Sequence, residues 1–166
     1  NGIPFNDAEG QGVYWVNMPD LSSSTDDIQI QRGVGASTTG ASAFGASINL
    51  STLSTTNSNK PYGEISTSYG SFNTFKNTVK IGTGLIDGKW NFEGRLSKIA
   101  SDGFIDRASS DLNSYYFSGS YLGEKTSIQA LVFSGNEKTY QSWGGTPLRV
   151  LDTNQTYNPY TYDNQI

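Results

Sequence analysis

IQIQRGVGASTTGASAFGASINLST, residues 28–52, is the stretch that decides between the folds open to this chain. Two short alternating runs enclose a tract of glycine and small residues; Ile28 and Ile30 lie in the first run, Ile48 and Leu50 in the second. Alternation of apolar and polar residues predicts a β-strand with one apolar face, and glycine lets neighbouring backbone turn or approach closely. The stretch therefore predicts a glycine-kinked pair of strands.

A phosphate-binding loop is the competing interpretation of the glycine tract. Gly35 and Gly40 have the spacing of G-x-x-x-x-G-K-[ST], and Ser42 stands at its last position. Ala41, however, occupies the place of the lysine that contacts the phosphates. No helix-forming run follows either, so we do not expect a nucleotide site.

Composition removes several classes of function. The chain has 166 residues, the length of one domain, with 15 acidic and 11 basic side chains and neither cysteine nor histidine. A net charge of −4 argues against nucleic acid as a partner. Disulfides, Cys/His zinc sites and Ser-His-Asp chemistry are excluded for this chain alone, and no Asp/Glu pair stands out for glycoside hydrolysis. We expect no enzyme activity, cofactor or metal.

Beyond Pro61, apolar and polar residues alternate in successive runs, which is the pattern of a β-meander. Strands are expected at about 62–70, 75–86, from Trp90 to the polar loop at 100–111, at 112–122 and at 126–139. Asp87-Gly88 and Gly123-Glu124 mark tight turns between them. The last strand is apolar on both faces, so its outward side stays open. Periodicity alone leaves a membrane β-barrel and a soluble β-sandwich equally open.

Three motifs, in order along the chain, resemble the TonB-dependent outer-membrane receptors. Residues 28–33 (IQIQRG), followed by 43–45 (AFG) and 48–50 (INL), resemble the end of the plug domain of that family. Residues 1–7 (NGIPFND) resemble a plug turn, and residues 69–74 (YGSFNT) resemble the motif that closes the first barrel strand. The motifs NMPD at 17–20 and GVGAST at 33–38 are similar to sequences in receptors of the Bacteroidetes lineage.

The resemblance implies an all-β fold that is incomplete in this chain. Residues 1–52 would be the C-terminal part of a plug domain, 53–61 a linker, and 62–166 the first five or so strands, with extracellular loops. These strands would form an antiparallel meander at the start of a roughly 22-stranded transmembrane β-barrel. Because an open barrel edge is tolerated poorly in lipid or water, we expect a fragment of a longer receptor.

The resemblance also implies function, partners and location. Such receptors lie in the outer membrane of Gram-negative bacteria and import a scarce, large ligand: an iron-siderophore, haem, cobalamin or a glycan. Their partners are the lipid bilayer, the imported ligand and the TonB complex, which acts through a TonB box that would lie upstream of this chain. The rival class is a secreted β-sandwich that binds glycans as an adhesin module.

Arg32 and a set of aromatic residues are the candidate functional residues. Arg32 matches the family arginine that pairs with barrel glutamates and locks the plug to the wall, and those glutamates would lie on later strands. Aromatic side chains with Asn and Gln suit sugars or aryl chelates. Candidate ligand contacts are Tyr14, Trp15, Trp143, Tyr157, Tyr160 and Tyr162. Asp102, Asp106 and Asp111 do not have the spacing of a calcium loop, so a solvated loop is favoured there.

Overall fold

The computed structural model describes residues 2–7, 9–10, 12–34, 45–52, 60–140 and 142–161. They form one two-stranded and one five-stranded antiparallel sheet. The strands are β1 (Thr25–Arg32), β2 (Ala46–Thr52), β3 (Tyr62–Gly70), β4 (Thr74–Gly82), β5 (Trp90–Ser101), β6 (Ser110–Leu122) and β7 (Ser127–Thr139). The helical structure of the described residues consists of α1 (Leu148–Leu151) and of 3-10 turns at Trp15–Asn17, Leu21–Ser24 and Pro159–Thr161. In these described ranges, no helix has the length and apolar character needed to span a membrane.

The predicted pair of strands around the glycine tract is confirmed. β1 and β2 pair antiparallel, with Ile28 opposite Leu50 and Ile30 opposite Ile48, so these side chains share one face. Residues 35–44 of the tract, and residues 53–59 of the expected linker, lie outside the described part of the chain.

The predicted meander is confirmed as a sheet of order β3-β4-β5-β6-β7. The expected extension of its second strand to residue 86 is wrong: β4 ends at Gly82, and Gly84, with φ 65°, turns the chain out of the sheet. The predicted Asp87-Gly88 turn is present, since both residues have positive φ and Ile86 N donates to Trp90 O at 2.7 Å. Within the described residues the outer edges of β3 and β7 have no partner strand, so the sheet is not closed.

On its central strands β4, β5 and β6, the five-stranded sheet buries its polar face and exposes its apolar face. Most residues of the edge strands β3 and β7 are exposed on both faces. Among the described residues, Tyr116 is the only buried hydrophobic side chain, at 2% exposure. Buried polar and charged residues on the same face are Thr78, Asn91, Glu93, Arg95, Ser97, Ser114 and Ser118. The opposite face exposes Ile65, Val79, Ile81, Leu96, Phe117, Ile128 and Val132. The register thereby assigns the outward side of β7, which the sequence left open, to Ile128 and Val132.

Residues 1–52 precede the sheet and are called the N-terminal segment; its described residues cover part of the polar face. The ring of Phe5 lies 5.6 Å from that of Phe133 on β7. The hydroxyl of Tyr116 on β6 donates to Thr52 Oγ1 at 3.0 Å. Burial of the polar face thus depends on a segment that precedes the sheet in sequence.

Candidate functional site

Asp20 projects from the N-terminal segment onto the sheet. Asp20 lies between the 3-10 turns at Trp15–Asn17 and Leu21–Ser24 and has left-handed backbone angles, φ 54° and ψ 32°. Asp tolerates this region better than most residues because its short side chain can bond locally. Here Ser23 Oγ donates to Asp20 Oδ1 at 2.7 Å, which fixes the carboxylate within its turn.

Two cationic side chains and one serine of the sheet bind this carboxylate. Lys76 Nζ on β4 lies 2.7 Å from Asp20 Oδ1, and Arg95 Nη1 on β5 lies 3.1 Å from Asp20 Oδ2. Ser97 on β5 also donates to Oδ2. The side chain of Asp20 is 3% exposed and that of Arg95 is 2% exposed. We call Asp20, Lys76, Arg95 and Ser97 the Asp20 cluster.

The electrostatics of the cluster favour an ionised Asp20. Burial acts to raise the pKa of this carboxyl, but hydrogen bonds from Lys76, Ser97 and Ser23 act in the opposite direction and prevail. The pKa of Asp20 therefore lies below its ordinary value. Removal of one partner from such a buried ion pair leaves an uncompensated charge, which is costly.

The chain next to Asp20 fits closely against β7. A Cβ atom added to Gly135 would lie 2.4 Å from Pro19 Cγ and 2.7 Å from the carbonyl oxygen of Asn113. No side chain larger than that of glycine fits there without a shift, so Gly135 provides the space into which Pro19 packs.

A cavity of about 210 Å³ lies beside the cluster. Asn17, Met18, Leu21, Ser24, Arg95 and Phe133 are among its lining residues. In the described part of the chain, Ser24 Oγ and Arg95 Nε are buried without a hydrogen-bond partner. A polar cavity of this kind suits ordered water, which satisfies such groups.

Glu93 is a second buried carboxylate on the same face of the sheet. It is 2% exposed, and Tyr62 Oη donates to its Oε1 at 3.0 Å. The Tyr62 ring lies directly on Gly82, because a Cβ added there would stand 2.2 Å from Tyr62 Cε1. Among the described residues, Glu93 Oε2 has no hydrogen-bond partner.

Arg32 lies apart from these groups. It is exposed at the end of β1, and no described carboxylate lies within ion-pair distance of it. Its expected pairing with glutamates on later strands stays a prediction. The ion pairs that join the N-terminal segment to the sheet instead use an acid from the segment and bases from the sheet.

Five of the six candidate ligand residues lie in the described part of the chain, and their role as ligand contacts stays a prediction. Trp143 is 75% exposed, whereas Tyr157 and Tyr160 are partly buried. Tyr14 and Trp15 make backbone hydrogen bonds within their own turn, and Tyr162 lies outside the described residues.

The loops at one end of the sheet pack on one another. Asp106 N donates to Thr156 O at 2.8 Å, and Asn158 Nδ2 donates to Asp106 O at 2.8 Å. Arg107 lies over the ring of Tyr140, with 4.1 Å between the guanidinium carbon and the ring centroid. These contacts hold the loop at 102–109 against the C-terminal segment.

Two of the three acidic side chains of the loop at 100–111, those of Asp102 and Asp111, bind separate partners. Asp102 Oδ2 accepts from Asn73 Nδ2 at 2.7 Å, and Asp111 pairs with Lys98. Across the residues that the structure describes, no group of three or more potential ligands is placed to hold a metal ion.

Sequence reasoning missed the Asp20 cluster. Met18-Pro19-Asp20 lies in an irregular region, and its partners are 56 to 77 residues away in sequence. The one sequence feature that pointed to this region was the motif NMPD at 17–20, which is part of the family resemblance. Comparisons with models of known families, with curated proteins and with solved structures gave no match to this chain.

Proposed function

We propose that this chain is a fragment of a TonB-dependent outer-membrane receptor that imports a scarce, large ligand. Residues 1–52 would be the last part of the plug, and β3–β7 the first strands of the barrel wall. The proposal rests on the sequence resemblance and on one structural observation: the polar face of the sheet is buried and its apolar face is exposed.

This distribution suits a sheet between lipid and a polar lumen. A transmembrane barrel places apolar side chains outward and polar ones inward along every strand. The outward face of this sheet carries Ile65 at 80% exposure, Leu96 at 65% and Val132 at 58%. A water-soluble sheet would be destabilised by so much apolar surface in contact with water.

Strand length and aromatic placement agree with a membrane wall. The five strands β3–β7 have 9 to 13 residues, and about 9–11 suffice to cross a bilayer. On the outward face, Trp90 packs on Tyr121 with ring centroids 4.6 Å apart at one end, and Phe75 lies opposite Ala100 at the other. Positions 90 and 100 of β5 lie about 33 Å apart along the strand. A tilt of about 40° reduces this span to about 25 Å, the height of the apolar band in such barrels.

The rival interpretation, a secreted β-sandwich that binds glycans, accounts less well for the burial. A sandwich packs apolar faces against each other and turns polar faces to solvent. Here the polar face is covered, and no second sheet covers the apolar face among the described residues. The distribution of burial therefore favours the receptor.

Fractionation of the source cells tests the proposal. An antibody raised against this chain is expected to detect a protein several times larger than 18.0 kDa in the outer-membrane fraction. Its migration should change on boiling, as the barrel unfolds. A band near 18.0 kDa in the culture medium would instead support the secreted sandwich. If the receptor is found, deletion of its gene and growth on iron chelates, haem, cobalamin or glycans identifies the ligand.

A further inference from the structure

We infer that the Met18-Pro19-Asp20 turn is a latch that holds the N-terminal segment on the wall through both charge and shape. A role of this latch in opening a transport path rests on the proposed function, whereas the contact itself does not. The latch differs from the expected Arg32 lock in its polarity, because the segment supplies the acid and the wall supplies the bases.

The charged part of the latch joins two adjacent strands. Asp20 bonds Lys76 of β4 and both Arg95 and Ser97 of β5. Arg95 Nη2 donates in turn to Ser114 Oγ of β6 at 3.0 Å, so the guanidinium is oriented by a third strand. A carboxylate so placed aligns the segment against β4, β5 and β6 together.

The shape part of the latch lies on β7. Pro19 packs into the space above Gly135, where even a methyl group would overlap its ring. Asp20 keeps a left-handed backbone, φ 54°, in the same turn. Such a conformation is unfavourable and persists where surrounding contacts impose it. Release of the turn would relieve that cost, so the latch opposes an intrinsic tendency of the turn to relax.

The surroundings of the latch permit release. The cavity beside Arg95 has room for water, and the side chain of Lys76 is 34% exposed. Water that enters on this side can take over the hydrogen bonds of the two cations as Asp20 withdraws.

A buried cysteine provides the test, because these 166 residues contain none; any cysteine elsewhere in the full-length protein is first replaced by serine. Ser24 lines the cavity and is 0% exposed. The variant Ser24→Cys is purified in detergent, as the full-length protein, and its reaction with a maleimide is timed. Slow labelling is expected while the segment is in place. Asp20→Asn, which keeps the shape and removes the charge, should accelerate labelling at least tenfold. Pro19→Ala should do the same, because it removes the ring that packs on Gly135.

Two variants act as controls. Asp111→Asn breaks an exposed ion pair, with Lys98, on the outward side of the sheet. Gly63→Ala adds a methyl group to an edge strand where no atom lies within 4 Å. Both should leave the labelling rate within about twofold of the parent, since neither touches the turn.

The outcomes separate the latch from the proposed function. An unchanged labelling rate in Asp20→Asn overturns the latch, as does fast labelling of the parent, and neither result depends on lipid, import or cell location. Hydrogen exchange of β5 and β6 identifies a variant that has unfolded as a whole. In that case Ser97→Ala, which removes a single bond to Asp20, replaces it and should accelerate labelling severalfold; no acceleration would again overturn the latch.

Discussion

Single residues of the buried polar face account for how the N-terminal segment is held. Asp20 is ionised in a buried setting because Lys76, Arg95 and Ser97 surround it. Its pKa is lowered in the folded chain, so its contribution to stability is complete above the pKa of the unfolded carboxyl. That contribution is lost as the pH falls through the folded pKa.

We therefore expect acid to loosen the segment locally. Below about pH 4, hydrogen exchange in residues 17–25, corrected for the intrinsic effect of pH, should accelerate relative to neutral pH. Asp20→Asn should exchange rapidly at both pH values, because it has no carboxylate to protonate. Equal acid sensitivity in the parent and in Asp20→Asn would assign the loosening to another group.

Tyr62 gives a second prediction at this scale. Its hydroxyl donates to Glu93 Oε1, and Tyr62→Phe would leave this buried carboxylate without its hydrogen bond. The loss should lower the free energy of unfolding by about 1–3 kcal/mol, measured by urea titration in detergent. Tyr69→Phe is the control, since the Tyr69 hydroxyl bonds Asn73 at an exposed site. A loss equal to that of the control would mean that the Glu93 bond contributes nothing.

The strands were the elements that could best be predicted from the sequence. Alternation and Asp87-Gly88 predicted the meander, because both signals act over a few residues. The predicted end of β4 lay too far along the chain. The alternating pattern continues through Thr83–Ile86, but the backbone already turns at Gly84. The faces of β7 required the pairing with β6, which sets Phe133 opposite Tyr116 on the buried side. The Asp20 cluster was beyond local signals, because its members meet only after the segment packs on the sheet.

The outward face of β7 gives a prediction at the scale of the element. Val132 lies near the middle of the strand and is exposed, whereas Asn136 lies nearer its end. In lipid vesicles, Val132→Arg should destabilise the folded protein by about 2–4 kcal/mol, and Asn136→Arg by about 0–1 kcal/mol, because the cost of a charge falls away from the bilayer centre. Urea unfolding from the vesicles measures both. Equal effects at the two positions would argue against a lipid-facing strand.

At the scale of the whole molecule, the described residues form a sheet with a covered polar face on its central strands, an exposed apolar face, and edges at β3 and β7 without a partner strand. The N-terminal segment covers the polar surface through the Asp20 cluster, the Pro19–Gly135 contact and the bond between Tyr116 and Thr52. The all-β antiparallel fold was predictable from the sequence. The inverted burial emerges only when all five strands share one register, because each strand alone carries a weak signal.

Contact with lipid on one face only is the central claim of this account. Single cysteines at Phe117 and Val132, on the exposed face, and at Ser114 and Ser118, on the buried face, would each carry a fluorophore in the full-length protein. After reconstitution into vesicles of brominated lipid, we expect strong quenching at Phe117→Cys and Val132→Cys and little at Ser114→Cys and Ser118→Cys. Equal quenching on the two faces, or none on either, would contradict the claim.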